Sequence, residues 1–304
     1  MKSVKNLVLL ILLYFISAIT YFLIKEIVPF VSPILFTGIR FVGAAVLVLP
    51  FIFPKIIHLF KRFKENPADF KRFIRFTTFR FFINFTTVAI AMKFLLPITA
   101  SLIANLNPFI TAFLGYLILN HRMTKWKMVG ITLGFVGFLF TLAGSFSHSH
   151  FMDYDKLLGS LFMIISVAAG SYGWFDLKYF LGKKYNLFAL NTSAISIAGP
   201  VCLVLSLLFE SKPLITKFDT KIAVSLLLLI VLMNIIYINL YGYLLKKFTP
   251  TLVSLAVFLV PVFVILINHF YLENPLNGNF FVSLALITVG MLIFYREETK
   301  QGYI

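Results

Sequence analysis

Residues Pro97–Leu139 are written twice in this chain. A shift of 153 positions carries Pro97 onto Pro250, Ser101 onto Ser254, Pro108 onto Pro261, Leu119 onto Leu272, Gly137 onto Gly290 and Leu139 onto Leu292, without a gap. A repeat constrains a fold more tightly than any local pattern, because two copies of one unit must bury related faces. Each copy is two apolar segments joined by a short turn. The chain is therefore predicted to be two related halves, residues 1–153 and 154–304.

The medium follows from composition. The chain is 60% hydrophobic and only 12% charged, whereas soluble domains carry about 25% charged residues. One water-soluble core could not hide so much apolar surface, so an integral membrane protein is expected. At about 20 apolar residues per crossing, spans are predicted near Asn6–Ile24, Pro33–Phe53, Phe73–Phe94, Ile98–Leu119, Lys127–Phe146, Leu157–Phe180, Leu187–Phe209, Ile222–Leu245, Thr249–Leu272 and Gly278–Tyr295. The longest polar connection, Pro54–Arg72, is strongly basic, and 147–156 joins the halves.

The net charge of +16 does not mark a nucleic-acid binder, because the basic residues sit between apolar spans rather than along one soluble face. They set orientation instead. Lys25, Lys93, Lys156, Lys212, Lys217 and Lys221 fall on one side, Arg40 and Arg80 lie within spans, and the rest of the 27 fall on the other side with both termini. The positive-inside rule makes that side the cytoplasm. The predicted fold class is all-α integral membrane, ten transmembrane helices, both termini cytoplasmic. Five spans per half is an odd number, so the halves are predicted to be inverted repeats, an arrangement typical of secondary transporters with a midplane site between the repeats. The basic, apolar start MKSVKNLVLLILLYF lacks a small-residue cleavage site and is read as an uncleaved first helix. The lone Cys202 supports no disulfide and no metal site. No Walker A loop or HExxH motif appears, so nucleotide-driven transport and metalloproteolysis lack support, and no cofactor or metal is expected.

Lys93–Phe140 and its echo Lys246–Ile293 each read as small residues, a mid-helix proline, a short turn and a glycine-bearing helix, and GIRFVGAAVLVLP places Arg40 inside the second span. On these residues the chain resembles the drug/metabolite transporter superfamily, specifically its EamA-type ten-helix members, over nearly its whole length. The resemblance implies metabolite transport across a bacterial cytoplasmic (inner) membrane. It also implies a central cavity lined by helices 1, 3, 4, 6, 8 and 9, and amino acids or related compounds as substrates.

Several residues are candidates for that site. Arg80, Asn84 and Thr87 share one helix face, and an arginine at membrane depth is expected to face a wet cavity and hold an anion, or else to snorkel. Arg40 is expected to act on structure or gating, or on substrate. Asp176, four residues from Tyr172, is the first candidate for a coupling proton or for pairing with an intramembrane arginine. Polar stripes run along span four (Ser101, Asn105, Pro108), span eight (Asn234, Tyr237, Tyr241) and span nine (Ser254, Pro261, Asn268). Together they suggest a polar cavity; singly each residue is better explained by bonds between helices. Pro108 and Pro261 each free a backbone carbonyl and are candidate hinges. Tyr14, Tyr172 and Trp174 could stack on a planar substrate. His148 and His150 with Asp153 and Asp155 match no metal-ligand spacing and read as a solvated loop.

The reading that follows is a secondary transporter of small polar or amphipathic metabolites working by alternating access. Its expected partners are a small-molecule substrate, the bilayer, a coupling proton or counter-substrate, and a second copy of the chain as a homodimer. The competing readings are an intramembrane enzyme acting on a lipid-like substrate and a membrane sensor that does not transport.

Overall fold

Prolines at the first helical turn, where a missing N–H costs nothing, open four of the helices, at Pro33, Pro67, Pro97 and Pro250. Side-chain caps open two more starts, where Asn186 accepts from Ala189 N at 3.0 Å and Asp219 from Ile222 N at 2.9 Å, and Thr249, accepting from Leu252 N at 3.1 Å, caps the helix that Pro250 begins. The structure, a computed structural model, describes residues 2–120, 122–143, 154–211, 214–272 and 278–303. His148, His150 and Asp153 lie outside them.

Among the described residues the chain is helical, apart from one isolated antiparallel bridge between Val31 and Ile215. Helix α1 is Lys2–Ile27, α2 Pro33–Glu65, α3 residues 67–94, α4 Pro97–Leu119, α5 Lys125–Ala143, α6 Tyr154–Gly182, α7 Leu187–Phe209, α8 Thr220–Leu245, α9 residues 250–272 and α10 Gly278–Lys300. Seven of them, α1, α2, α4 and α6–α9, are long and apolar enough to cross a membrane.

Two irregularities recur. Helix α3 passes through a π-helical stretch, Thr77–Ile83, and α8 through another, Ile230–Tyr237. Helix α4 breaks between Ala104 and Asn107, and α9 tightens into a 3₁₀ turn at Ala256–Phe258. The shift that carries Pro97 onto Pro250 carries Thr77 onto Ile230 and Asn105 onto Phe258. The helix pairs follow the same rule. Helix α3 packs on α6 and α8 on α1; α4 packs on α6 and α9 on α1. Helices α2 and α7 pair with each other, as do α5 and α10.

Glycines set the closest crossings. A methyl group on Gly290 would sit 2.5 Å from the Gly130 carbonyl oxygen, and one on Gly199 would press on Val42 at 2.9 Å. Small residues at such points let backbones approach where lipid offers no hydrophobic drive for association. The predicted connection Pro54–Arg72 is instead helical on both sides of Asn66. Ile52, Ile56, Leu59 and Phe63 keep a buried face through that extension. Phe63 stacks 5.6 Å from Tyr185 and meets Phe73 at 5.0 Å, which pins the hairpin onto the body.

Candidate functional site

A cavity of about 100 Å³ lies where α1, α3, α4, α6, α8 and α9 converge. Tyr14, Ser17, Thr20 and Tyr21 face it from α1, and Arg80, Asn84 and Phe85 from α3. Helix α4 gives Asn107; α6 gives Ser166, Gly170, Ser171 and Trp174. Met233 and Tyr237 come from α8, and Val257 from α9.

Arg80 is the charge at its centre. It sits in the π stretch of α3 and is 3% exposed. Its Nη1 donates to Asn84 Oδ1 at 2.5 Å, and its guanidinium lies 3.8 Å over the Trp174 ring and 5.1 Å from Phe85. Its Nε has no hydrogen-bond partner. No carboxylate pairs with Arg80 among the described residues, so the cavity is electropositive.

Helix α6 makes this placement sterically feasible. A methyl on Gly173 would lie 2.4 Å from Arg80 Cβ, and one on Gly170 2.7 Å from Asn84 Nδ2. Asn84 is fixed in turn. Its Nδ2 donates to Ser166 O at 2.7 Å and Ser166 Oγ at 2.9 Å, and Ser166 Oγ donates to Asn84 O at 2.9 Å. Ser171 Oγ lies 2.6 Å from Asn107 Oδ1, joining α6 to α4.

The aromatic wall is ordered the same way. Trp174 and Tyr241 stack face to face, 3.6 Å apart and 1° from parallel. Since Tyr241 occupies one face of the indole, the Arg80 guanidinium takes the other. Tyr237 lies 6.0 Å from Tyr241, and Tyr14 donates to Val253 O at 2.6 Å across the α1–α9 contact.

Of the residues singled out from sequence, Tyr14, Arg80, Asn84, Trp174 and Tyr237 meet at this cavity, with Tyr241 stacked behind Trp174. The others lie elsewhere. Ser101 bonds back to Ile98 O at 2.7 Å, and Ser254 bonds Thr111 between α9 and α4. Asn105 and Asn234 are buried with amides that make no hydrogen bond, off the cavity wall, and nothing in the structure explains their isolation. Tyr172 packs on Phe79, 5.1 Å away. Pro108 opens the second segment of α4 and Pro261 lies in the last segment of α9, just past the matched breaks.

Asp176 is drawn to the end of α3, where Arg75 grips it with Nε at 3.0 Å and Nη2 at 2.5 Å, and Arg72 stands 3.7 Å away. Arg40 is fully buried among Phe36, Phe41 and Phe85, 4.9–5.6 Å from their ring centres, with no hydrogen bond to any guanidinium nitrogen. It shares Phe85 with Arg80 but does not reach the cavity. Residue-by-residue sequence reading missed Asn107, Ser166 and Ser171. For Ser166 and Ser171 the available signal was the small-residue run of α6, Ser166 to Gly173, whose spacing allows a helix to approach closely.

The model of the EamA-like transporter family matches this chain twice, over residues 4–143 and 157–296. An S-adenosylmethionine/S-adenosylhomocysteine transporter of Chlamydia muridarum is 25% identical over 95% of this chain and 91% of its own length. An uncharacterized transporter of Archaeoglobus fulgidus is 27% identical over 90% and 93%. An uncharacterized inner membrane transporter of Escherichia coli K12 is 26% identical over 93% and 86%. One crystal structure superposes with a TM-score of 0.70 at 15% identity, covering 94% of this chain and 93% of that one, a likeness of fold.

Proposed function

This chain belongs to the EamA-like transporter family of the drug/metabolite transporter superfamily, and from that premise we propose that it carries a small metabolite bearing a carboxylate and a planar ring. It is a multi-pass membrane transporter. The proposal adds the arrangement of ten spans in two inverted halves, 1–153 and 154–304, with both termini in the cytoplasm. The matched π stretches, the matched helix breaks and the twofold family match support that arrangement.

One observation carries the substrate reading. The Arg80 guanidinium is stacked on Trp174 with no carboxylate partner and with Nε unbonded. A guanidinium presents donors in a planar fork that fits a carboxylate. Tyr14, Tyr21 and Tyr237, which line the same cavity, supply aromatic surface for a ring. An amino-acid nucleoside such as S-adenosylmethionine or S-adenosylhomocysteine, the substrates named for the chlamydial relative, has both groups. Other amino-acid derivatives with a ring fit the same chemistry.

Volume decides how such a ligand enters. Pockets for ligands of this size measure about 300–1,000 Å³, and the cavity has about 100 Å³. On this reading the cavity must widen to admit the substrate when the halves move, with an ion gradient or exchange supplying the energy. The experiment is uptake of labelled S-adenosylmethionine into proteoliposomes, with unlabelled S-adenosylhomocysteine and a panel of ring-bearing amino acids as competitors. Saturable, competed uptake is expected. Absence of saturable uptake for every ring-bearing carboxylate sinks the substrate reading. Uptake only of compounds without a carboxylate reassigns Arg80. A ligand that binds but never crosses favours a sensor.

A further inference from the structure

A second concavity is larger than the central cavity. A groove of about 860 Å³ opens on the outer surface between the α6–α7 turn and the last turns of α8. Its wall is apolar: Leu187 and Phe188 from α7, and Ile235, Ile236 and Leu240 from α8. Phe188 is 46% and Ile236 40% exposed. Its end is basic and polar, with exposed Lys184, Lys246 and Tyr243 beside Asn186.

The basic end is built. Lys184 holds a left-handed backbone, φ 58°, and the turn that carries it is pinned from α2. Arg62 Nη2 donates to Lys183 O at 3.2 Å and Nη1 to Lys184 O at 3.4 Å, while its guanidinium lies 3.8 Å over Tyr185, which lines the groove. A third cation therefore backs the two lysines. The carboxylate behind Tyr185, Asp69, is taken up by Lys183, Tyr179 and Tyr185.

We propose that this groove binds an anionic phospholipid, its phosphate against Lys184 and Lys246 and an acyl chain along Phe188, Ile235, Ile236 and Leu240. The complementarity is of both kinds. Lysines at helix ends stand at headgroup level, and the apolar wall continues from them toward the hydrocarbon. Basic pockets between spans are where acidic headgroups bind. The site bears on transport through α8. Ile235 and Ile236 belong to the π stretch whose other face gives Met233 and Tyr237 to the central cavity. A lipid in the groove thus braces the segment that forms one cavity wall.

The test is thermal unfolding of the purified full chain in neutral detergent, titrated with palmitoyl-oleoyl phosphatidylglycerol, with the phosphatidylcholine of the same chains, and with glycerol 3-phosphate. A ligand bound only by the folded state raises Tm with concentration. Phosphatidylglycerol is expected to raise Tm at concentrations where phosphatidylcholine does not. Lys184→Gln/Lys246→Gln is expected to weaken the phosphatidylglycerol response about tenfold or more while leaving Tm without lipid unchanged. Ile236→Trp, which fills the wall, is expected to weaken it with both lysines intact. Equal responses to the two lipids overturn the proposal. So does an undiminished response in the lysine variant, or a full response to glycerol 3-phosphate, which makes the site one for a soluble anion.

Discussion

Arg80 holds a charge in a place where charge is costly, and the balance of terms decides what its removal does. Placing an arginine at the centre of a membrane helix costs about 3 kcal/mol on insertion scales. Stacking on Trp174 returns about 1–2 kcal/mol, and the bond to Asn84 returns a similar amount. The residue is close to neutral for stability, so its removal is expected to show in transport rather than in folding. Arg80→Met is expected to shift Tm by no more than about 2 °C while lowering uptake about a hundredfold, as losing a buried charged partner does. Arg80→Lys keeps the charge without the planar fork or the stack and is expected to fall between. Flux and Tm measured on the same preparations check both. An Arg80→Met protein that transports like the parent removes Arg80 from the substrate path. Arg40 shows why the distinction could not be read from sequence alone. Both arginines stand inside apolar spans, yet one is caged by phenylalanines off the cavity and the other lies in it. Only the rotation of each helix about its axis separates them.

Helix α3 owes its service to the cavity to its π stretch. A π turn holds an extra residue, so the helix on one side is rotated against an ideal α-helix by about 100°. The sequence shows the polar residues Arg80, Asn84 and Thr87 at α-helical spacing, but nothing in it marks Thr77–Ile83 as π. That is why Arg80 and Asn84 are legible as neighbours while Thr87, which bonds to Ile83 O at 2.7 Å, is not legible as lying off the cavity. Removing Phe82, a residue of the stretch that does not line the cavity, is expected to restore a regular helix and rotate Arg80 off its stack on Trp174. Such a protein should remain monodisperse on size-exclusion chromatography and lose uptake. Retained uptake shows that the π turn is incidental. Gly173 tests the same interface from α6. Its methyl variant must push the two helices apart, because the obstructing atoms include the Arg80 backbone. Gly173→Ala is expected to cost about 1–3 kcal/mol, seen as a lowered Tm, and to reduce uptake. An unchanged Tm means that the crossing is looser than the structure shows.

Across the whole molecule, long-range polar ties join the helices near their ends. At one end Glu210 accepts from Ile34 N at 2.9 Å and Leu35 N at 3.0 Å, and Ser32 N donates to Leu214 O at 2.9 Å. At the other end Arg75 holds Asp176, and Asp69 takes bonds from Tyr179 Oη at 2.8 Å, Tyr185 Oη at 2.8 Å and Lys183 Nζ at 2.9 Å. Apolar runs, prolines and the internal repeat made the helices and their kinship legible, because each is a local or periodic signal. These ties were not, because each joins residues more than a hundred positions apart and depends on how the halves meet. Asp69 gives the most direct test of one. Burial raises its affinity for a proton, but the bonds from Lys183, Tyr179 and Tyr185 outweigh that and hold its pKa below the usual carboxylate value. Tyr185, pushed up to about 12 by burial and by Asp69, remains a donor at working pH. A folded pKa below the unfolded one means that the carboxylate's stabilisation is fully present above about pH 4 and is lost as pH falls through the folded value. Lys183 is 45% exposed, so solvent screens its share and the tyrosines carry more. Asp69→Asn, which leaves buried donors with a poorer acceptor, is expected to lower stability by about 1–3 kcal/mol at pH 7. The gap between parent and variant should narrow as pH falls below 4, where the parent's carboxylate takes up its proton. Tm measured from pH 8 to pH 3 for the two proteins reads this directly. A gap that stays constant over that range assigns the stabilisation to shape rather than to charge.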